Sequence, residues 1–178
     1  MACLVSAGCG DDPPSGSEAL DRARQRLMDA PRVVIARGRR VETYAPALNV
    51  IEEKGRVLNW ANRRVEHYYL EERSCYNTSH AFERADFRDQ RRGAVPEVSS
   101  ARVEERSGRT VIRWRLEDQE RAPDREGAVR LDGQGRPVLV TERSLPWAGE
   151  PAGLSSRTRI SYPARILIPR PSPLCSAL

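Results

Sequence analysis

Arg109-Thr-Val-Ile-Arg-Trp-Arg-Leu-Glu-Asp118 is the stretch on which the fold turns. Ile112, Trp114 and Leu116 alternate with Arg113, Arg115 and Glu117, and a period of two is that of an antiparallel strand with one face buried and the other in water. Just upstream, Glu97–Glu105 has a strand's composition, and Ser107-Gly108 supplies a turn between the two runs. Downstream, Gly127–Leu131 and Pro137–Arg143 flank Asp132-Gly133-Gln134-Gly135, a second strong turn. Ser155–Tyr162 and Arg165–Ile168 are expected as the last strands.

The same period runs back toward the N-terminus. Arg32–Tyr44 reads as one extended run with Val33, Ile35 and Val41 on one face. Beyond Pro46, Ala47–Glu53 and Arg56–Ala61 flank Lys54-Gly55 as a hairpin, and Arg64–Glu71 and Arg73–Thr78 follow. Between His80 and Arg92 the apolar spacing relaxes toward helical, which predicts one short helix ending before Gly93. A longer helix is expected over Ser17–Ala30, where Leu20, Ala23, Leu27 and Ala30 form a stripe, Ser17 can cap the start and Pro31 stops the end. Roughly ten strands and two helices give an α+β, strand-dominated chain. Successive hairpins make a meandering antiparallel sheet, and a sheet of that many strands tends to curl or close.

Ahead of the helix, Ser6-Ala7-Gly8-Cys9 resembles the lipobox of bacterial lipoprotein signals, in which small residues precede a cysteine that becomes lipidated. Ser6 stands where an aliphatic residue is usual, and a basic start and most of an apolar segment are missing. The reading is a signal clipped by a start codon placed too far downstream. Residues 1–16 are then a truncated signal and a disordered tether, with Cys9 as the lipidation site, and 17–178 form one domain. An ordinary disordered N-terminus is the alternative.

The remaining length suits one domain able to bury a sizeable core. No run approaches the ~18 apolar residues of a membrane-spanning helix, so the body is expected to be soluble. Thirty basic residues stand against 25 acidic ones, and Lys54 is the only lysine. Arginines alternate with acids along the chain, as in Arg113-Trp114-Arg115-Leu116-Glu117-Asp118. Without a basic block or a recognisable module, nucleic acid is not expected as a partner; dispersed arginines are better suited to anionic lipid head groups.

Cys75 and Cys175 are the cysteines left in the domain, and they lack Cys-x-x-Cys spacing. In an exported chain such a pair is expected to form a disulfide, with two buried free thiols as the alternative. Closing a loop of about 100 residues stabilises by up to ~4.7 kcal/mol in the chain-entropy model.

The order of elements resembles the LolA-like lipoprotein carriers and, in leader and size, the LppX/LprG-type lipoproteins of actinobacteria. The matching pieces are the helix Ser17–Ala30 leading into the strand at Val33, the segment Ala128-Val-Arg-Leu-Asp-Gly-Gln-Gly-Arg-Pro-Val-Leu-Val140, and Ile160-Ser-Tyr-Pro-Ala-Arg-Ile-Leu-Ile-Pro169. The resemblance implies a curled antiparallel sheet, an open half-barrel capped by helices, that holds lipid on its concave face. It also implies an exported protein held by its lipid on the extracytoplasmic side of the cell membrane.

A curled sheet with few helices must bury its apolar face on itself or around a ligand. Trp60, Tyr69, Ile112, Trp114, Leu116, Val138, Val140, Ile160, Ile166 and Ile168 are the candidates to line such a cavity; the alternative for each is plain core. No catalytic residue, metal site or cofactor is expected. His67 and His80 lie on different elements, Glu66-His67 point to opposite faces of a strand, and no Gly-rich phosphate loop, Gly-x-Ser-x-Gly or His-Glu-x-x-His is present. The expected function is an anchored lipoprotein that binds or shuttles an acyl chain or glycolipid. The alternative is an envelope structural or sensory module with the same fold, a filled core and an envelope protein partner.

Overall fold

Helix α1 spans Gly16–Asp29 in the computed structural model, which describes residues 15–45, 48–53, 56–61, 64–69, 74–78, 90–98, 100–117, 123–146, 151–153 and 155–166, the strands between 48 and 78 as backbone pairing. The cap is Ser15, not Ser17. Its Oγ accepts from the Glu18 N–H at 3.3 Å while the Glu18 carboxylate accepts from the Ser15 N–H at 3.0 Å. This reciprocal box satisfies two N–H groups at once, an arrangement that needs Glu three residues after the cap. Gly16 then lies against the backbone of Ala101, where a Cβ would come within 2.1 Å of the carbonyl.

The run expected as one strand from Arg32 to Tyr44 is a hairpin, β1 (Val33–Arg37) and β2 (Arg40–Ala45). Gly38, at φ +58°, takes the left-handed conformation that lets the chain reverse there. The reversal resets the facing. Val41 pairs with Ala36 on one face, while Glu42 and Tyr44 stand opposite Ile35 and Val33 on the other.

The strands that follow are β3 (Leu48–Glu53), β4 (Arg56–Ala61), β5 (Arg64–Tyr69), β6 (Ser74–Thr78), β7 (Ser100–Arg106), β8 (Arg109–Leu116), β9 (Arg125–Leu131), β10 (Pro137–Ser144) and β11 (Ser156–Ser161). Among the described residues, 165–166 do not form the last strand expected there, and Ile168 lies outside them. Pro163, which has no N–H to donate to a ladder, stands just past the end of β11, and the Tyr162 hydroxyl before it donates to the Pro137 carbonyl at 2.8 Å. Of the expected middle helix, 90–92 are helical and run into a turn at Gly93; the rest lies outside the described residues.

All eleven described strands pair antiparallel in one sheet, in the order β6-β5-β4-β3-β2-β1-β11-β10-β9-β8-β7, of which seven strands form a curled, unclosed unit. The chain therefore begins in the middle of the sheet, meanders out to β6, crosses to the opposite edge at β7 and meanders back until β11 meets β1. The described part of the crossing chain, 90–98, and α1 lie on the same face, here called inner.

On that face Leu20, Ala23 and Leu27 of α1 pack against Val33, Ile35, Ile112, Val129 and Ile160, all of them buried. The outer face of the half-sheet β7–β11 has a different chemistry. Pairing and alternation turn outward Arg102 and Arg106 of β7, Arg109, Arg113 and Arg115 of β8, Arg130 of β9, Arg143 of β10, and Arg157 and Arg159 of β11. The outward carboxylates on these strands are Glu104 and Glu126.

Candidate functional site

The inner face carries a cavity of about 630 Å³ between β8–β11, the end of β1 and the crossing segment 92–97. Alternation builds its floor: Trp114 and Leu116 of β8, Val140 and Glu142 of β10, and Ser156 and Thr158 of β11 all share inward parity. Opposite them lie Val95 and Pro96. The rim is charged, with Arg24, Arg37, Arg92 and Arg125 against Glu97 and Glu142. Arg125 is paired with Glu142 at 2.9 Å and Arg92 with Glu97 at 3.4 Å. The Arg37 Nε and Trp114 Nε1 donors are buried without a hydrogen-bond partner among the described residues, the kind of orphan that a bound polar group or water satisfies.

The segment over the cavity is strapped down by side chains reaching its backbone. Arg24, buried on α1, donates to the Pro96 carbonyl at 2.5 Å and the Val95 carbonyl at 3.5 Å, with Asp21 on its other side at 2.5 Å. Arg91 returns the contact, donating to the carbonyls of Leu27 and, at 2.6 Å, Ala30 at the helix C-terminus, where a cation also meets the negative end of the helix dipole. Burial holds the Arg91 guanidinium below its ordinary pKa. On the sheet side, Arg37 donates to the Gln90 carbonyl at 3.3 Å and Arg40 to the Gln90 side chain at 2.6 Å. Ala94 and Val95 anchor the strap in the core.

Beneath it is a polar cluster. The Glu42 side chain is fully buried on β2 and accepts from Arg40 Nε at 2.8 Å and from the Tyr44 hydroxyl at 2.8 Å. Burial first, and then the neighbouring Glu42 charge, raise the Tyr44 phenol well above its usual value. The Arg91 guanidinium lies 5.6 Å from the Tyr44 ring centre. Sequence reading missed this cluster. The signal was present in Arg40-Val-Glu-Thr-Tyr44, whose polar residues share one strand face, but it becomes visible only once the hairpin at Gly38 is placed.

Of the ten residues expected around a cavity, Trp114, Leu116 and Val140 line this one. Ile112 and Ile160 are not on its wall; both are core beneath α1. Val138 is half-buried at a β-bulge between Pro137 and Leu139, which takes it out of the regular alternation. Ile166 is half-buried beyond β11. Trp60 stands opposite Val65 on β4 and Tyr69 opposite Arg56 on β5, in the far half-sheet. Cys75 pairs with Tyr68 on the edge strand β6. Cys9 and Cys175 lie outside the described residues, so neither the lipidation site nor the disulfide is placed.

Among the described residues, no group of His, Cys, Asp and Glu is arranged to hold a metal ion, and no helix is long and apolar enough to cross a membrane. Compared with known proteins, the chain matches no family model and no curated sequence.

Proposed function

We propose that the protein is an exported lipoprotein of LolA-like type, anchored to the cell membrane through Cys9, that binds or shuttles an acyl chain or glycolipid. The observation that carries this reading is the cavity of about 630 Å³ on the inner face of the curled sheet, whose apolar lining includes Trp114, Leu116 and Val140. Its volume is within the range of small-molecule sites. The arrangement suits an amphiphile, with the alkyl part against the tryptophan and the head group among the rim arginines. A disulfide between Cys75 and Cys175 belongs to the same proposal and would fix the C-terminal tail to the edge strand β6.

Native mass spectrometry of the full chain after gentle detergent extraction tests the ligand. The expected result is a bound mass of lipid size that is lost in Trp114→Arg, a variant that fills the floor with charge. Protein that is always empty, from cells and after incubation with lipid extract, would refute the reading.

A second reading, a structural or sensory envelope module without a ligand, draws on the other half of the inner face. There Ile112, Ile160 and the α1 stripe form a buried core. Capture of a specific envelope protein by ligand-free chain would favour it.

A further inference from the structure

We infer that the outer face of the half-sheet β7–β11 is a docking surface for an anionic lipid bilayer. Its strands carry nine outward arginines against two glutamates, with Glu117 and Asp124 beside Arg115 at the end of β8. Glu104 and Glu126 are already committed, to Arg102 and Arg113 and to Arg143, and Arg115 is held by Asp124 at 2.9 Å. Arg106, Arg109, Arg130, Arg157 and Arg159 have no ion-pair partner among the described residues. The net field of this face is therefore positive, although the chain reads in sequence as a mixture of signs.

The spatial pattern favours a lipid surface over a nucleic acid. Across the strands the register gives Val111, Arg130, Leu139, Arg159, Ala36 and Val41 in one row. Guanidinium groups thus alternate with aliphatic side chains, and Arg130 and Arg159, two strands apart, are separated by about 10 Å. Arginine binds phosphate in bidentate fashion, while short aliphatic groups tolerate the interfacial region beside it. A single-stranded nucleic acid would want aromatic platforms, and none of the outward residues on β7–β11 is aromatic. The face also has a groove of about 670 Å³, large enough to seat a head group, where the paired Arg102, Arg113, Arg115 and Arg143 meet Glu126, Glu142 and an edge of the inward-facing Trp114.

The tether starts at one edge of the same half-sheet, on its inner side. Gly16, at the start of α1, touches the backbone of Ala101 on β7, the edge strand of this half-sheet. The six residues from Gly10 to Ser15 span at most roughly 20 Å, so a lipid on Cys9 would hold the β7 edge close to the bilayer. This last point rests on the proposed lipidation; the charge argument does not.

Vesicle co-sedimentation of the full chain carrying Cys9→Ser, which removes the acylation site, tests the face alone. Phosphatidylcholine vesicles are compared with vesicles containing roughly 30 mol% phosphatidylglycerol, at about 0.05 and 0.5 M salt. Binding is expected to the anionic vesicles only, and to be lost at the higher salt. Each unpaired arginine contributes about fivefold, so Arg130→Gln/Arg157→Gln/Arg159→Gln should weaken partitioning on the order of 100-fold without moving the unfolding midpoint. Equal binding to neutral vesicles, an unchanged triple variant, or duplex DNA bound as tightly at the same salt would each overturn the inference. Retention of lipid in the inner cavity is read separately by mass, so either proposal can fail without the other.

Discussion

Replacing Glu42 by alanine should be among the most destabilising single changes in the domain, and its size can be worked from the cluster around it. Glu42 is wholly buried, and the two groups that donate to it differ in what they can do without it. The Tyr44 hydroxyl is itself buried and would be left without an acceptor, at about 1–3 kcal/mol. Arg40 is about one-third exposed, with 31% of its side chain accessible, and keeps its bond to Gln90, so it can rehydrate in part. Its loss is therefore well below the 3–5 kcal/mol of breaking a fully buried pair. Together the cost is about 2–4 kcal/mol, or a fall of roughly 4–16 °C in Tm for a domain of this size. Denaturant unfolding followed by tryptophan fluorescence measures it. The slope should stay constant while the midpoint falls. Tyr44→Phe alone should cost about 1 kcal/mol, and Glu42→Ala/Tyr44→Phe should be less destabilising than the sum of the two by a similar amount, because the orphaned hydroxyl is gone. A loss below about 0.5 kcal/mol for Glu42→Ala, or strict additivity in the cycle, would refute the reasoning.

Gly127→Ala should cost about 1–3 kcal/mol, because a Cβ there would lie 2.0 Å from the Thr141 carbonyl oxygen and 2.6 Å from the Trp114 ring; near-ultraviolet circular dichroism should change with it. Gly133→Ala, where nothing lies within 4 Å, is the matched control, and equal effects at the two positions would contradict the packing. Asp132 supplies a pH test. Burial raises its carboxyl pKa, but the Arg136 and Gln134 N–H groups and the Arg136 guanidinium together outweigh that and hold it below the ordinary range. A depressed folded-state value contributes stability above the unfolded pKa that is lost as pH falls through the folded one. Asp132→Asn should therefore lower stability at neutral pH and flatten the acid limb of the unfolding curve; an acid limb unchanged in the variant would count against this role.

The strands were legible wherever alternation was clean. Ile112, Trp114 and Leu116 alternate in the half-buried strand expected of them, and Asp132-Gly-Gln-Gly135 forms the turn, with Gly135 at φ +70°. Arg32–Tyr44 failed because Gly38-Arg39-Arg40 is a weak turn signal between two short runs that share a period. Missing it put Val41 on the wrong face and hid Glu42. The cavity was half legible for a related reason. Inward parity selects Ile112, Trp114 and Leu116 alike, but only the position of α1 decides which are covered by helix and which by the strap. No local pattern carries that, since the packing of Leu20 and Leu27 on β7 and β8 is long-range. The basic outer face was hidden by its own alternation, because residues adjacent in sequence point to opposite sides.

The pairing of β1 with β11 has a kinetic consequence. Every other neighbour in the sheet is a hairpin partner close in sequence, whereas Ile35 and Ile160 meet across roughly 125 residues. Each meander can assemble from local contacts, but closing so long a loop carries an entropic penalty that only the finished seam repays. Until β11 has been made, β1 and β10 both present bare edges, and two half-sheets with matching open edges are prone to join with those of another molecule. Domain-swapped dimers, exchanging one half-sheet through the β1–β11 seam, are therefore the characteristic misassembly to look for at high concentration, and a chain ending before Ser156 should aggregate rather than fold.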